Sequence, residues 1–358
     1  MAQHTASLIS TRTLALMGLA CVLGTTSCSD ENTPEWWKDL WGSSSEKPAA
    51  EAQPVVVNNN NTEQKELLDY MIYSIAEKVR HEASNPAWHD DVRDMRNRLE
   101  EYYNSIEANG DNYQDTLRLG LFLANATRDL AAYQRALNLY NKTLSKWEAA
   151  PEEFRTGIEG RRMRSAIANG IGSCYFAQNK ASEALSYYEN ALELDRALFE
   201  ELAPADKAPL PQDDNISPEL VNAAVEVLSS YRCLGECQLK AEDPEEARDT
   251  FKRGCELALR MKHLKPGMSI QYIRLLSALG DLEYSVGQLR QAYAAWTQAA
   301  GVAQKLQQVA PTAAIKVQAT NYFRNLEAPI KNTAKELQEA QRAEQQQAES
   351  NAQPATEQ

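Results

Sequence analysis

The residues best able to do chemistry are the thiols, the imidazoles and the paired carboxylates. Six cysteines and four histidines are spread through 358 residues. Cys233 and Cys237 stand four apart, so they share one face of a helix. Two thiols without an imidazole or carboxylate beside them do not make a zinc site. His81, His89 and His263 are scattered, and His89-Asp90-Asp91 is a run of neighbours rather than a helical face. Glu152-Glu153 and Glu245-Glu246 follow prolines at helix starts, where the helix dipole already accounts for acidic pairs. The basic run Arg161-Arg162-Met163-Arg164 reads as a solvated helix face, with docking of an acidic partner as the sharper option. No glycine-rich phosphate loop, Gly-x-Ser-x-Gly turn or His-Glu-x-x-His motif occurs. These residues predict no catalytic site, no metal site and no cofactor: the chain reads as a binding protein, not an enzyme.

Composition narrows the partner. Asp and Glu outnumber Lys and Arg by 50 to 37, a net charge of −13, which disfavours the phosphate-neutralising face that nucleic acid requires. Hydrophobic residues at 43% are enough for a sizeable core, which excludes wholesale disorder and collagen-like or multi-span membrane architectures.

Residues 1–27 read as an export signal. Arg12 is the only charge before Asp30, and the apolar run Leu14–Gly24 is too short to span a bilayer. The ending Leu23-Gly-Thr-Thr-Ser-Cys28 resembles a bacterial lipoprotein signal, although Thr25 stands where that family prefers a branched aliphatic residue. The resemblance implies acylation of Cys28, with Cys21 as a competing acceptor and plain cleavage as the other outcome. Ser29 after Cys28 leans to the outer membrane under the sorting rule of such lipoproteins, so the body would face the periplasm from a lipid anchor. In residues 28–61, Trp36, Trp37, Leu40 and Trp41 share one side of a short helix that rests on the membrane or docks on the protein's own body. A Ser-, Ala-, Pro- and Asn-rich tether follows, ending in Asn58–Asn61.

From Thr62 to about Ala343 apolar residues recur at three- and four-residue intervals, and no alternating β pattern competes. Breaks are expected at Asn85-Pro86, Gly110-Asp111, Ala150-Pro151 and Pro266-Gly267. Asp243-Pro244-Glu245-Glu246 is a start signal: Asp243 caps, Pro244 suits the first turn, and Glu246 can close a capping box. Ser217-Pro218 opens a helix in the same way.

A repeat is visible within this array. Gly172 is followed by Ala184, Tyr188 and Ala191 at offsets 12, 16 and 19; Gly235 by Ala247, Phe251 and Gly254; Gly280 by Ala292, Trp296 and Ala299. A weaker copy has Ala124, Ala136, Tyr140 and Thr143. The pattern resembles the tetratricopeptide family, in which small residues let two helices of a hairpin approach and aromatics fill the space beside them. Departures are Gln238 and Glu283 where the second copy has the first-helix aromatic Tyr175, and starts spaced 48, 63 and 45 residues apart against that family's usual 34. Longer helices and an inserted loop around Pro204–Asp214 are expected.

The resemblance implies an all-α, right-handed superhelical solenoid. Residues 62–110 would be leading helices, 111–310 the repeat array, 311–343 a capping helix and 344–358 a disordered tail. Cys174 and Cys237 occupy a slot that the family fills with a small buried residue; buried free thiols and one disulfide involving Cys255 are the two readings. In that family, residues three before and one after the repeat glycine face a concave groove, and the residues four after it are further candidates. Here these are Asn125, Asn169, Ser173, Phe176, Arg232, Glu236, Leu239, Ser277, Asp281 and Tyr284. The groove implies a protein partner, an extended peptide or a helix, in a scaffold of the cell envelope. The alternative is a glycan-binding lipoprotein on the same scaffold, against which residues 203–217 offer no aromatic platform. Oligomeric state is not encoded in any of these features.

Overall fold

The structure is a computed structural model that describes residues 113–203, 216–261 and 265–352, with Asn97, Glu100, Glu101, Tyr103 and Asn104 before them. The expected export signal, Cys28, the tryptophan segment, the tether, most of the leading helices and the inserted loop lie outside the described residues. The chain divides into two units, Met1–Tyr102 and Tyr103–Gln358. Of the first, the three described residues are helical; the second contains everything below.

Among the described residues from Tyr113 onward, ten helices follow one another: α1 (Tyr113–Asp129), α2 (Tyr133–Ala149), α3 (Glu152–Thr156), α4 (Ile158–Ala177), α5 (Ala181–Leu202), α6 (Pro218–Lys240), α7 (Pro244–Arg260), α8 (Pro266–Ser285), α9 (Leu289–Val309) and α10 (Ala313–Ala352). Among the described residues there is no strand. Helices α4, α5 and α6 run 20, 22 and 23 residues, which absorbs much of the extra repeat length. Their starts follow the chemistry of capping. Ser217 accepts from the Leu220 amide at 3.2 Å and Asp243 from the Glu246 amide at 3.2 Å, each with a proline at the first helical position. The reciprocal half of the capping box at Asp243 is replaced, because the Asp243 amide already donates to Gln238 O at 2.9 Å.

That bond belongs to a turn repeated four times. Ala131, Asn179, Glu242 and Gly287 have φ of 60°, 61°, 64° and 77°, each seven residues after the small residue of its copy. The next amide reaches back to close the first helix: Ala132 to Thr127 O, Lys180 to Tyr175 O, Asp243 to Gln238 O and Gln288 to Glu283 O, at 3.1, 3.0, 2.9 and 2.8 Å. This left-handed residue and its long backward bond form the Schellman end of a helix. It reverses the chain in three residues, so α1–α2, α4–α5, α6–α7 and α8–α9 are hairpins.

Each second helix also packs on the next first helix, α2 on α4, α5 on α6, α7 on α8 and α9 on α10. First helices meet one another as well, notably α1 with α4 and α6 with α8. The result is the expected all-α solenoid of helix hairpins closed by a C-terminal helix. Its core is the repeat pattern itself: Ala136, Ala184, Ala247 and Ala292 are wholly inaccessible, and Tyr140, Tyr188, Phe251 and Trp296 are buried against them. Burying each such aromatic contributes roughly 2–3 kcal/mol. A β-carbon at Gly280 would lie 2.5 Å from Trp296 Cδ1, and one at Gly172 would lie 3.1 Å from Tyr188 Cδ1. The glycines therefore set how closely the two helices approach.

Two expectations are corrected. Helix α10 continues to Ala352, into the segment whose composition predicts a disordered tail. The run Arg161–Arg164 is not a solvated face. Arg162 holds Glu226 of α6 bidentately at 2.6 and 3.0 Å with both side chains largely buried, Arg161 pairs with Glu201, and Arg164 lies over the Trp147 ring.

Candidate functional site

The residues that the resemblance assigns to the groove fall into three groups. Those one place after the small residue bond inward. Tyr140 Oη donates to Asn125 Oδ1 at 2.5 Å, Tyr188 Oη to Ser173 Oγ at 3.1 Å, and Trp296 Nε1 to Asp281 Oδ1 at 3.1 Å. Each of these pairs fifteen residues apart ties the first helix of a hairpin to the aromatic of the second. Asn125 is buried, so it offers little open surface. The third hairpin breaks the rule for a chemical reason: Phe251 has no donor, and Glu236 turns instead to Arg232 Nη1, 2.7 Å from both carboxylate oxygens.

The residues three places before the small residue are partly engaged too. Asn169 Nδ2 donates to Ser230 Oγ at 3.0 Å, and Ser230 Oγ donates to Asp195 Oδ2 at 2.6 Å, a chain that joins α4, α6 and α5. Ser277 Oγ donates back to Ile273 O at 2.8 Å. Arg232 has its Nε buried without a hydrogen-bond partner.

The residues four places after the small residue remain at the surface. Leu239 and Tyr284 are 38% and 42% exposed. Phe176 is half-buried, edge-on to Tyr188, with the Lys240 ammonium 4.3 Å from its ring centroid. Tyr284 Oη donates to Glu336 Oε1 of α10 at 3.1 Å, and this bond raises the phenol above its usual range.

Charge is distributed unevenly around these positions. Burial lowers the Arg274 pKa, and the neighbouring Arg232 guanidinium lowers it further. Tyr322 of α10 faces both arginines. Sequence reasoning passed over Arg274, although the three- and four-residue stripe of Ser277, Asp281 and Tyr284 reaches it when carried one turn earlier. Asp195 was also missed. Burial pushes its carboxyl up to about 7, the nearby Glu226 adds to the rise, and hydrogen bonds from Ser165 and Ser230 oppose it. Glu283, which replaces the first-helix aromatic, is buried and accepts from Arg248 Nε of α7 at 3.0 Å. Where the aromatic is kept, Tyr175 stacks on Tyr187 with centroids 5.6 Å apart.

Cys174, Cys237 and Cys255 are buried and Cys233 is half-buried, and all four are free thiols. Among the described residues no three His, Cys, Asp or Glu side chains gather as a metal-binding group, and no helix is long and apolar enough to cross a membrane.

No protein-family model matches the chain. No curated protein sequence matches it. Among solved structures, the chain is similar to the apo form of RapI, at TM-score 0.47 and 13% identity over 76% of this chain and 63% of RapI, so it spans less than two thirds of that protein. It is also similar to BtubC from P. vanneervenii, at TM-score 0.45 and 16% identity over 81% of this chain and 95% of the other. The yeast histone chaperone Hif1, described as a scaffold protein recruiting protein complexes to core histones, aligns at TM-score 0.39 and 13% identity over 62% and 96% of the two chains. Likeness at this level bears on neither activity nor partner.

Proposed function

We propose that this chain is a tetratricopeptide-type, non-enzymatic scaffold of the cell envelope, lipid-anchored through Cys28, that binds a protein partner along its first helices. The observation that carries the reading is the residual exposure of Leu239 and Tyr284 at equivalent places on α6 and α8. The other groove positions are largely occupied by bonds within the array, so these side chains are the apolar surface left for a partner. A peptide or helix with large apolar residues fits such a row better than a sugar does, because neither position offers a flat aromatic free of other bonds: Tyr284 is tied to Glu336. The partner would lie on the periplasmic side of the outer membrane.

A photo-crosslinking residue placed at Leu239 or Tyr284 in the living cell tests the groove. The expected result is a discrete adduct of one protein, absent when the same residue is placed at Glu189, which is exposed on α5. Equal capture from Glu189 would defeat the groove reading. The anchor is tested separately: labelled fatty acid should enter the wild type and be lost in Cys28→Ser, and retained label would move the acceptor elsewhere.

A further inference from the structure

Positive charge gathers at the C-terminal end of the array. Between Glu283 and Glu327 no Asp or Glu occurs, in a chain that carries 50 of them, while Arg290, Lys305, Lys316 and Arg324 are all cationic. That stretch covers the last hairpin turn, α9 and the first part of α10. Elsewhere Arg128, Arg162, Arg232 and Arg248 each close an ion pair with a carboxylate. Lys305, Lys316 and Arg324 are exposed, and among the described residues no carboxylate pairs with them.

The same stretch exposes apolar side chains. Helix α9 ends at Val309 and α10 begins at Ala313, joined by Ala310, Pro311 and Thr312. Val309 and Val317 are 65% and 59% exposed, well beyond Leu239 or Tyr284 of the groove stripe. Thr312 Oγ1 accepts from the Ile315 amide at 3.3 Å, which caps α10 and fixes the bend. The outermost level of this tip, Val309, Pro311, Ala313 and Ala314, is exposed and uncharged. One turn further in, about 5–6 Å along each helix, stand Lys305 on α9 and Lys316 on α10, with Val317 beside it. The preceding hairpin ends in a similar way at Leu259 and Arg260 of α7, but there the exposed Glu256 stands one turn back.

We infer that the α9–α10 tip is a docking surface for a lipid bilayer with anionic headgroups. The headgroup region of a bilayer is roughly 5–8 Å deep on each side. When the aliphatic tip reaches the hydrocarbon boundary, Lys305 and Lys316 therefore lie at the level of the phosphates, with their stems along the apolar surface. Each ammonium adds attraction to the anionic surface, and the absence of carboxylates from the stretch removes local repulsion that a chain of net charge −13 would otherwise bring. A convex tip offers a peptide no walls. Nor does a protein partner require an apolar level and a cationic level one helical turn apart. The inference depends neither on the groove nor on acylation of Cys28.

The test uses the full chain carrying Cys28→Ser, so that no acyl chain holds it, with a photo-crosslinking residue at Val309. Vesicles are made of phosphatidylethanolamine with phosphatidylglycerol, or of phosphatidylcholine alone, and lipid adducts are measured by mass spectrometry. On the anionic vesicles Val309 should give at least about tenfold more lipid adduct than Val286, which is exposed at the turn that ends α8. The yield at Val309 should fall about tenfold on phosphatidylcholine, and about as far in the double variant Lys305→Gln with Lys316→Gln. Added salt should lower it too, a readout that needs no change to the lysines. Equal adducts at Val309 and Val286, no lipid adduct at Val309, or a yield indifferent to lipid charge overturns the inference. An adduct between two copies of the chain in place of lipid also overturns it, and assigns the tip to self-association.

Discussion

Trp296 Nε1 donates to Asp281 Oδ1 at 3.1 Å across fifteen residues, and the same spacing joins Tyr188 to Ser173 and Tyr140 to Asn125. In these three hairpins the polar tip of a core aromatic ends on the first helix, so the side chain just after the repeat's small residue serves the fold before it can serve a partner.

Loss of that acceptor should be felt through the aromatic donor that it serves. Asp281→Ala leaves a largely buried indole N–H unpaired and should cost about 1–3 kcal/mol. Asp281→Asn, whose amide oxygen can still accept from the indole, should cost less than half as much. Urea denaturation of both variants checks the contrast, and equal losses would mean that the fifteen-residue bond contributes nothing of its own.

The turns allow a gain. Glu242 and Ala131 hold the left-handed conformation that Gly287 takes without penalty. Glu242→Gly should stabilise the protein by about 1 kcal/mol, and Gly287→Ala should destabilise it by a similar amount. At Gly287 the comparison is clean, because an added β-carbon would meet nothing within 4 Å. Thermal melts of the two variants should shift in opposite directions.

Ion pairs in this protein should differ sharply in worth. Arg162→Met strands Glu226 largely buried between hairpins and should cost about 3–5 kcal/mol. The double replacement Arg162→Met with Glu226→Leu should recover most of that loss. Arg161→Met, whose partner Glu201 is well exposed, should change the denaturation midpoint little.

The hairpins were legible in the sequence because their determinants are local. Gly172, Ala184, Tyr188 and Ala191 lie within one hairpin and meet by helical spacing alone. The bonds between hairpins were not legible. Glu226 is 64 residues from Arg162, and nothing in the run Arg161–Arg164 distinguishes the buried arginine from its neighbours. Nothing near Asp195 in the sequence marks it for burial; α6 encloses it by bringing Ser230 against it. The groove positions come from a register carried over from shorter repeats, and which of them stay open depends on longer helices and on α10, whose Glu336 reaches Tyr284. Helix α10 itself extends further than composition suggests, since alanine and glutamine favour helix even where no core holds them.

Asp195 makes stability depend on pH near neutrality. Burial, and then the charge of Glu226, push its carboxyl up to about 7, whereas an exposed aspartate releases its proton near ~3.9. Between those values the native state holds a proton that the unfolded chain has lost. Stability contributed by this group is therefore full below about pH 4, falls as pH rises toward about 7, and is flat above that. The groups facing Asp195 set this sign: Glu226 raises its carboxyl by more than Arg162 lowers it, and hydrogen bonds from Ser165 and Ser230 on α4 and α6 offset only part of the rise. Asp195→Asn keeps an acceptor for Ser230 and removes the titration. It should gain stability relative to wild type between pH 5 and pH 8, measured as urea midpoints at fixed ionic strength. Parallel curves for the two proteins would mean that Asp195 stays charged in the fold, and that the Ser230 bond alone carries its contribution.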